Sequence, residues 1–412
     1  MAQKAATVIN AVPRALEDLI RPLSPAEFFS RHWGKSFVHV PGWPGKFGKL
    51  FPWAELNQVL ENHRLSSQRL RLFKEGKPIG AKSYMSASET GGARVRILDI
   101  TRHLADGGTL ILDDADDLYQ PLGSLTAALE RVFRAGAQVN LYAGWRTARG
   151  FDLHWDDHNV FILQVAGIKR WVVYEPTRPY PLKADVEKAP APEGPPAWDS
   201  ILREGDLLYL PRGWWHVAYP QDEPCLHLTV SINSFIGLDL LQWFVNTLRA
   251  SADVRRDLPL QDTVEAQRDF VDRLGKQLLE YWNANVLSDF MAEIDSQVPP
   301  RLRAHLPYAA TDSGVPLGEN TRIKLAARRR LDLREDRSAE IVRFKYIGKE
   351  WQVDRRWLHI LESLNEDGQG HAMAELTALT LKSTDLAAIH NFVHEMIRSG
   401  LFVVESNPDK EP

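Results

Sequence analysis

Apolar and polar residues alternate over several short segments in the middle of the chain, and this pattern predicts strands. The segments 139–142, 160–165, 168–174 and 226–235 are rich in β-branched and aromatic residues. A tight turn is predicted at Gly167, between the second and the third of these strands. The middle of the chain is therefore predicted to form a rigid antiparallel sheet.

Helical periodicity is found before and after this region. Residues 14–32 and 122–133 are predicted to be helical, with Ser24 as an N-cap ahead of Pro25. Two long amphipathic helices follow Phe235, and their apolar faces need a partner. Their apolar residues are Leu240, Leu241, Phe244, Val245 and Leu248 in the first helix, and Phe270, Val271, Leu274, Leu278 and Trp282 in the second.

The last part of the chain combines a strand, a capped helix and a second strand. Residues 342–347 read as a strand, and residues 385–399 as a helix with Asp385 as its N-cap and Gly400 as its stop signal. Residues 401–404 then return to a strand pattern. This order of helix, glycine and strand is similar to that of a winged-helix module.

Three side chains in the predicted sheet are candidate metal ligands. Because side chains alternate along a strand, His154 and Asp156 are expected on one face and Trp155 on the other. A third ligand must come from another strand, and His216 is the natural candidate because residues 205–216 read as a strand, a Pro-Arg-Gly turn and a new strand. Two histidines and one carboxylate on one side of a metal leave positions open, which suits non-haem Fe(II) and oxygen.

Other polar residues are placed by the same alternation near this site. Asn140 and Tyr142 share a face of their strand and are expected to reach the cavity. The prolines between 176 and 199 predict a long surface loop that interrupts the predicted sheet. The closing strand 226–235 is expected to carry one row of polar side chains that borders the same site: His227, Thr229, Ser231 and Asn233.

Composition narrows the class of protein. With 412 residues, of which 44% are hydrophobic, the chain is long enough for two or three domains. A net charge of −4 argues against nucleic-acid binding by bulk electrostatics. The single cysteine, Cys225, excludes an intrachain disulfide and fits a reducing compartment. The apolar run 5–12 is too short for a signal peptide or a membrane span, so we predict a cytoplasmic protein without membrane contact.

A set of short motifs around the predicted metal site is specific enough to identify a family. The motifs are Asn140-Leu141-Tyr142, Gly150-Phe151, His154-Trp155-Asp156-Asp157, Val160-Phe161-Ile162-Leu163-Gln164, Gly167, Lys169, Arg170-Trp171 and Gly205-Asp206 through His216. They resemble the JmjC-type, cupin-like 2-oxoglutarate oxygenases, and specifically the branch that contains the ribosomal oxygenases. The resemblance covers residues 20–235 well and the remainder only by architecture.

The resemblance implies a cofactor, a cosubstrate and a reaction. Fe(II) would be held by the three candidate ligands, and 2-oxoglutarate would take two further positions. Lys169 stands where the family places the basic partner of the far carboxylate, whereas Arg170 should face the opposite side of the strand. Asn140, Tyr142 and Thr229 complete the implied pocket. The reaction is hydroxylation of a protein or peptide side chain, with Arg or His of a ribosomal protein as the leading candidate and succinate and CO2 as coproducts.

The resemblance also implies an α+β architecture in three domains. Residues 1–235 are expected to form a double-stranded β-helix, or jelly-roll cupin barrel, with N-terminal elaborations. Residues 236–312 are expected to form a helical homodimerisation domain, and residues 313–412 a winged-helix-like domain. The last helix presents a poor set of residues for phosphate contact, so we favour a structural or protein-docking role over nucleic-acid binding despite a nearby basic cluster. That cluster is Arg322, Lys324, Arg328, Arg329 and Arg330.

Two alternatives remain open at the level of sequence. In the first, the protein carries out the same chemistry on a small molecule or on methylated lysine. In the second, the protein is a non-catalytic, metal-binding dimeric docking module. A docking module is expected to lack a metal ligand or the basic partner of the far carboxylate. The three candidate ligands and Lys169 are all present in this sequence. Trp155 stands where the ribosomal oxygenases often have Tyr, which leaves the hydroxylated target undetermined.

Overall fold

The computed structural model describes residues 14–86, 94–182, 184, 190–311, 314–366, 368, 370–380 and 385–405. The apolar run 5–12 and part of the predicted proline-rich loop lie outside these residues. The chain divides into two compact units, residues 1–234 and 235–412. Within the described residues, no helix has the length and apolar character needed to cross a bilayer.

The first unit contains five α-helices and thirteen strands among its described residues. The helices are α1 (Arg14–Ile20), α2 (Pro25–Glu27), α3 (Trp53–Asn62), α4 (Ile97–Ala105) and α5 (Gln120–Phe133). The strands are β1 (Val38–Val40), β2 (Leu70–Lys74), β3 (Lys77–Ile79), β4 (Met85–Ser86), β5 (Arg94–Val95), β6 (Thr109–Leu112), β7 (Gly136–Gly144), β8 (Asn159–Ala166), β9 (Lys169–Tyr174), β10 (Trp198–Leu202), β11 (Leu207–Leu210), β12 (Trp215–Pro220) and β13 (Cys225–Asn233). Ser24 caps α2 through the amide of Glu27, as its sequence predicts.

Two antiparallel sheets form the barrel of this unit. The large sheet has the strand order β1-β11-β8-β13-β7-β6-β2-β3, and the small sheet has the order β10-β9-β12. Ile162 and Leu208 of the large sheet pack in one apolar cluster with Trp171 and Val173 of the small sheet, so the two sheets face each other. This arrangement agrees with the predicted cupin barrel.

The opposite face of the large sheet packs against helices. Alternate residues of β7, including Val139 and Leu141, are buried in one cluster with Leu122 and Leu129 of α5. Burying a side chain of this size stabilises the fold by about 1.5–3 kcal/mol. The large sheet is therefore anchored on the main hydrophobic core, and its other face is free to line the barrel interior.

The chain changes sheet at Gly167. The strands predicted on either side of this turn are confirmed as β8 and β9, but they do not pair with each other: β8 pairs with β11 and β13, and β9 pairs with β10 and β12. Gly167 has a φ of +65°, and a Cβ there would lie 2.2 Å from the carbonyl oxygen of Pro224. This close approach explains why the turn requires glycine and leads the chain into the second sheet.

The second unit contains seven α-helices and six strands among its described residues. The helices are α6 (Gly237–Thr247), α7 (Ala252–Arg255), α8 (Val264–Tyr281), α9 (Val286–Gln297), α10 (Leu358–Glu366), α11 (Met373–Thr380) and α12 (Leu386–Arg398). The strands are β14 (Arg322–Leu325), β15 (Arg334–Asp336), β16 (Ile341–Tyr346), β17 (Lys349–Asp354), β18 (His371–Ala372) and β19 (Phe402–Val404). Asp385 caps α12 through the amide of Ala388, as predicted. The boundary at residue 312 and the winged-helix assignment stay predictions.

Charged residues of the predicted basic cluster are engaged within this unit. Arg322 and Lys324 lie 3.4 and 3.8 Å from the carboxylate of Glu405. Arg329 is buried beside Asp295, at 3.6 Å. Three of the five cations of this cluster therefore have anionic neighbours, and the expectation that the cluster does not bind nucleic acid stays a prediction.

Candidate metal centre

Three side chains converge at one end of the barrel. His154, Asp156 and His216 offer ligand atoms that all lie within 4.8 Å of one another, in the part of the chain that the structure describes. His216 Nε2 lies 3.6 Å from Asp156 Oδ2, and the two imidazole centroids are 4.4 Å apart. The structure thus brings together the three residues that the sequence selects.

Backbone pairing holds these residues together. His154 and His216 form an isolated antiparallel bridge, in which each amide donates to the other's carbonyl at 3.2 and 2.7 Å. The Gly213 amide donates to the Asp156 carbonyl at 2.9 Å. The prediction that His154 and Asp156 belong to a regular strand is wrong, because β8 begins only at Asn159. They lie in the connection ahead of it, at the edge of the small sheet beside β12.

Each imidazole is oriented by a carbonyl two residues before it. His154 Nδ1 donates to the carbonyl of Asp152 at 2.7 Å, and His216 Nδ1 donates to the carbonyl of Trp214 at 3.1 Å. With Nδ1 protonated, the lone pair is on Nε2, where a metal would be bound. Sequence reasoning missed this feature, since it depends on how the chain turns before each histidine.

Burial keeps His216 neutral. The residue is 6% exposed, and loss of solvation, followed by the neighbouring His154, lowers the pKa of His216 to about 4, although Asp156 acts in the opposite direction. A neutral imidazole is the form that binds metals. His158 is not one of the three candidate ligands, and its Nδ1 lies 3.0 Å from Asp157 Oδ1.

Lys169 lies inside the barrel on β9. It is 4% exposed, and burial lowers the pKa of its ammonium group. Its Nζ lies 5.9 Å from the centroid of Trp171, whose ring is in turn 5.9 Å from that of His216. No ion pair joins Lys169 to any described residue. Arg170 faces outward and donates to Asp199 at 2.7 Å, so the two basic residues point to opposite sides as predicted.

The remaining predicted residues lie on the inner face of the large sheet. Tyr142 is opposite His227, and Asn140 is opposite Thr229, in the register of β7 and β13. Burial and then the nearby carboxylate of Asp156 raise the pKa of Tyr142 above its usual range, so its hydroxyl stays protonated. These uncharged groups face the small sheet, which carries Lys169 and His216.

Comparisons with known proteins agree with this fold. Residues 117–239 match the family model of the JmjC domain. The chain is 32% identical over 235 residues to the bifunctional lysine-specific demethylase and histidyl-hydroxylase NO66 of Drosophila persimilis. The aligned region covers 54% of this chain and 32% of that protein. It is 29% identical over 278 residues to human ribosomal oxygenase 1, covering 64% of this chain and 41% of that protein. The chain therefore spans less than half the length of these curated relatives.

A solved structure shows the same fold over most of the chain. The ribosomal oxygenase YcfD from Escherichia coli, in complex with cobalt and 2-oxoglutarate, superposes with a TM-score of 0.53 at 18% identity and covers 93% of this chain and 99% of that one. The barrel, the matched domain and the sequence relatives agree with one another. Residues 117–239 thus carry a match to the JmjC domain, and the sequence relatives and the solved fold support the resemblance of the chain to the JmjC-type, cupin-like oxygenases.

Proposed function

We propose that this protein is an Fe(II)- and 2-oxoglutarate-dependent oxygenase that hydroxylates a protein or peptide side chain. One observation carries the proposal: two imidazoles and a carboxylate converge at the barrel edge, and a buried lysine without an ion-pair partner among the described residues lies further inside. A docking module without catalysis would need neither group.

The three ligands fit a divalent iron ion. Transition metals hold imidazole nitrogen and carboxylate oxygen at about 2.0–2.2 Å, which places adjacent ligand atoms about 3 Å apart. The 3.6 Å between His216 Nε2 and Asp156 Oδ2 is close to this spacing. Two histidines and one carboxylate on one side leave positions open on the other, as a non-haem iron oxygenase requires.

Lys169 fits the far carboxylate of 2-oxoglutarate. A buried ammonium group is costly unless an anion pairs with it, and a dicarboxylate that reaches inward from the metal supplies that anion. When bound, iron would supply the activation of dioxygen, with 2-oxoglutarate as the co-reductant: one oxygen atom would enter succinate as 2-oxoglutarate loses CO2, and the other would enter the hydroxylated substrate.

The chain itself orients the reactants and excludes water. The two Nδ1 hydrogen bonds fix the imidazole planes, and the neutral form of His216 keeps its Nε2 available. Val160, Ile162 and Val173 form an apolar wall inside the barrel. We propose that this wall keeps bulk water from the reacting centre, where it would intercept the oxidant.

The proposed target is an arginine or histidine of a ribosomal protein. The names of the two curated relatives include a histidyl-hydroxylase and a ribosomal oxygenase. We expect mass spectrometry of ribosomal proteins from cells with and without the gene to reveal one residue that gains the mass of one oxygen atom only when the gene is present. We propose the cytoplasm as the location of the enzyme, since the single cysteine fits a reducing compartment. An unmodified ribosome in both strains would direct the search to other peptides or to small molecules.

Demethylation of lysine is a second candidate, favoured by the demethylase named in the Drosophila relative. Hydroxylation of an N-methyl group gives an unstable product that releases formaldehyde, whereas hydroxylation of a ring or methylene carbon does not. Formaldehyde release from a methyl-lysine peptide, in proportion to succinate, would support demethylation over side-chain hydroxylation.

We further propose that the helices after the barrel form a homodimer. Phe244 and Phe270 are buried on one side of α6 and α8, but both helices also carry exposed apolar stripes. Leu241 is 51% and Val271 is 65% exposed. Spacings of three, four and seven residues place the members of each stripe on one face. The stripes are Leu238, Leu241 and Val245 on α6, and Val264, Val271 and Leu278 on α8.

Charge introduced into these stripes is expected to produce monomers. Leu241→Glu combined with Val271→Glu should halve the mass measured by light scattering, because a buried carboxylate opposes association. Leu386→Glu, which replaces an exposed leucine at the start of α12, is the matched control. A wild-type protein that is monomeric at all concentrations would contradict the dimer.

A further inference from the structure

A cavity of about 990 Å³ lies in the first unit, at the opposite end of the barrel from the candidate metal ligands. β8 begins at Asn159, close behind Asp156, and it ends beside Gly167, which lines the cavity. The eight residues of β8, at about 3.3 Å each, separate the two ends by roughly 25 Å. The cavity is therefore a different site from the candidate metal centre.

Two unpaired strand edges border this cavity. β1 is the outermost strand of the large sheet and β10 is the outermost strand of the small sheet, so each has one edge without a strand neighbour among the described residues. Trp198 of β10 contacts His39 of β1, with ring centroids 5.3 Å apart. The cavity is lined by His39 on the side of β1 and by Asp199 and Ser200 on the side of β10. An unpaired edge offers amides and carbonyls with which an extended peptide can pair.

The loop that follows β1 forms a fixed wall of the cavity. The carboxylate of Asp206 accepts hydrogen bonds from the amides of Gly42 and Arg203, at 2.9 and 3.0 Å. Its Oδ2 also lies 3.2 Å from His39 Nε2. A Cβ at Gly42 would lie 1.8 Å from the carbonyl oxygen of Gly205, so the loop touches the turn that leads into β11. These contacts preform the cavity, as is usual for binding sites.

Two carboxylates of the cavity are each held by one oxygen and present the other. Glu204 Oε1 accepts from the Gly45 amide at 2.8 Å, and Glu223 Oε1 accepts from the Ile168 amide at 2.9 Å. In the part of the chain that the structure describes, Oε2 of neither residue has a hydrogen-bond or ion-pair partner. Both carboxylates are thus oriented in advance for a cation.

The cations that line the cavity do not neutralise these two carboxylates. Arg170 is already paired with Asp199, whose Oδ2 lies 2.5 Å from its Nη2. Arg203 is exposed, whereas Glu204 and Glu223 are half-buried. Because solvent screens the half-buried charges less, the cavity favours a cationic ligand.

We infer that this cavity is a docking site for an extended, lysine- or arginine-bearing segment of another protein. The main chain of the segment pairs with the free edge of β10, and its cationic side chains reach Glu204 and Glu223. Alternate side chains of a strand point to the same side, so a segment with a cation at every second position fits best. The site goes beyond the proposed function and does not depend on it, since no metal ligand lines the cavity.

A labelled peptide of alternating lysine and threonine is the probe, and fluorescence polarisation measures its binding to the full-length protein. Glu204→Gln combined with Glu223→Gln should weaken binding by about tenfold, because two attractive charges are lost. Glutamine retains the oxygen that accepts from the main-chain amide, so the cavity should keep its shape. Asp106→Asn combined with Asp222→Asn is the matched control, since it removes two exposed carboxylates outside the cavity.

The pairing of main chains is tested with two further peptides of the same sequence. One is N-methylated on its lysine amides and the other on its threonine amides. Alternate amides of a strand point to opposite edges, so only one of the two peptides has its pairing edge blocked. That peptide should lose binding, whereas the other should bind like the unmethylated probe.

Three results would overturn the inference. They are absence of binding to the wild-type protein, equal binding to the wild type and the glutamine variant, and equal binding of the two methylated peptides. Spermidine that displaces the probe from the cavity at equal concentration would assign the site to a small polyamine instead, and so would also contradict it. Succinate formation by the glutamine variant should match that of the wild type, so the proposed function is tested separately.

Discussion

Alanine in place of His154 is expected to abolish the formation of succinate from 2-oxoglutarate. The change removes one of three ligands, and loss of the metal removes several kcal/mol of transition-state stabilisation, which corresponds to at least about 100-fold in rate. The main-chain bridge between residues 154 and 216 does not depend on the side chain, so the barrel should fold normally. Succinate production and the absorption spectrum of bound Co(II) should be lost together.

His158→Ala is the matched control for this experiment. His158 is four residues further along the same connection and contacts Asp157 rather than the metal group. We expect this variant to retain both Co(II) binding and turnover. Persistent metal-dependent turnover in His154→Ala would contradict the assignment of the ligands.

Methionine in place of Lys169 is expected to abolish productive binding of 2-oxoglutarate. Removing one member of a buried charge pair costs about 3 kcal/mol or more, which is above about 100-fold in Kd. The variant itself should be at least as stable as the wild type without ligand, because methionine fills a similar volume without a charge to desolvate. Calorimetry with the Co(II)-loaded protein and thermal unfolding of the ligand-free protein measure the two effects separately.

Arg170→Met gives the comparison, since the same chemical change is made one residue away on the outer side of the strand. It removes an exposed ion pair with Asp199, and such pairs contribute about 0–1 kcal/mol. Its affinity for 2-oxoglutarate should match that of the wild type. An equal loss of affinity for 2-oxoglutarate in the two variants would show that a disturbed strand, and not removal of the inward-facing ammonium group, weakens binding.

Local patterns along the chain predicted most of the elements that form the site. Alternation identified β7 and β13, and the Pro-Arg-Gly turn correctly placed His216 at the start of a new strand. The same alternation was misleading at His154, because it does not distinguish a strand from an extended connection that is held by one bridge. That bridge depends on His216, a residue distant in sequence, and no local pattern reveals it.

Two further features depend on tertiary packing. Gly167 was predicted as a turn, but its approach to the Pro224 carbonyl, which leads β8 and β9 into different sheets, involves a segment far along the chain. His227 was placed correctly in the polar row of its strand. Its stacking on Tyr142 follows from the pairing of β13 with β7, which the sequence does not fix.

The side chains of the proposed ligand pocket come from both sheets. The candidate metal group and Lys169 belong to the small sheet or its edge, whereas the uncharged residues Tyr142, Thr229 and His227 lie on the large sheet. Substitution of these uncharged residues by other uncharged residues would therefore change the shape of the cavity without changing its net charge. If the proposed pocket binds 2-oxoglutarate, selectivity among diacids of different chain length would be set by these residues of the large sheet, while the affinity for anions would be set by Lys169 on the small sheet.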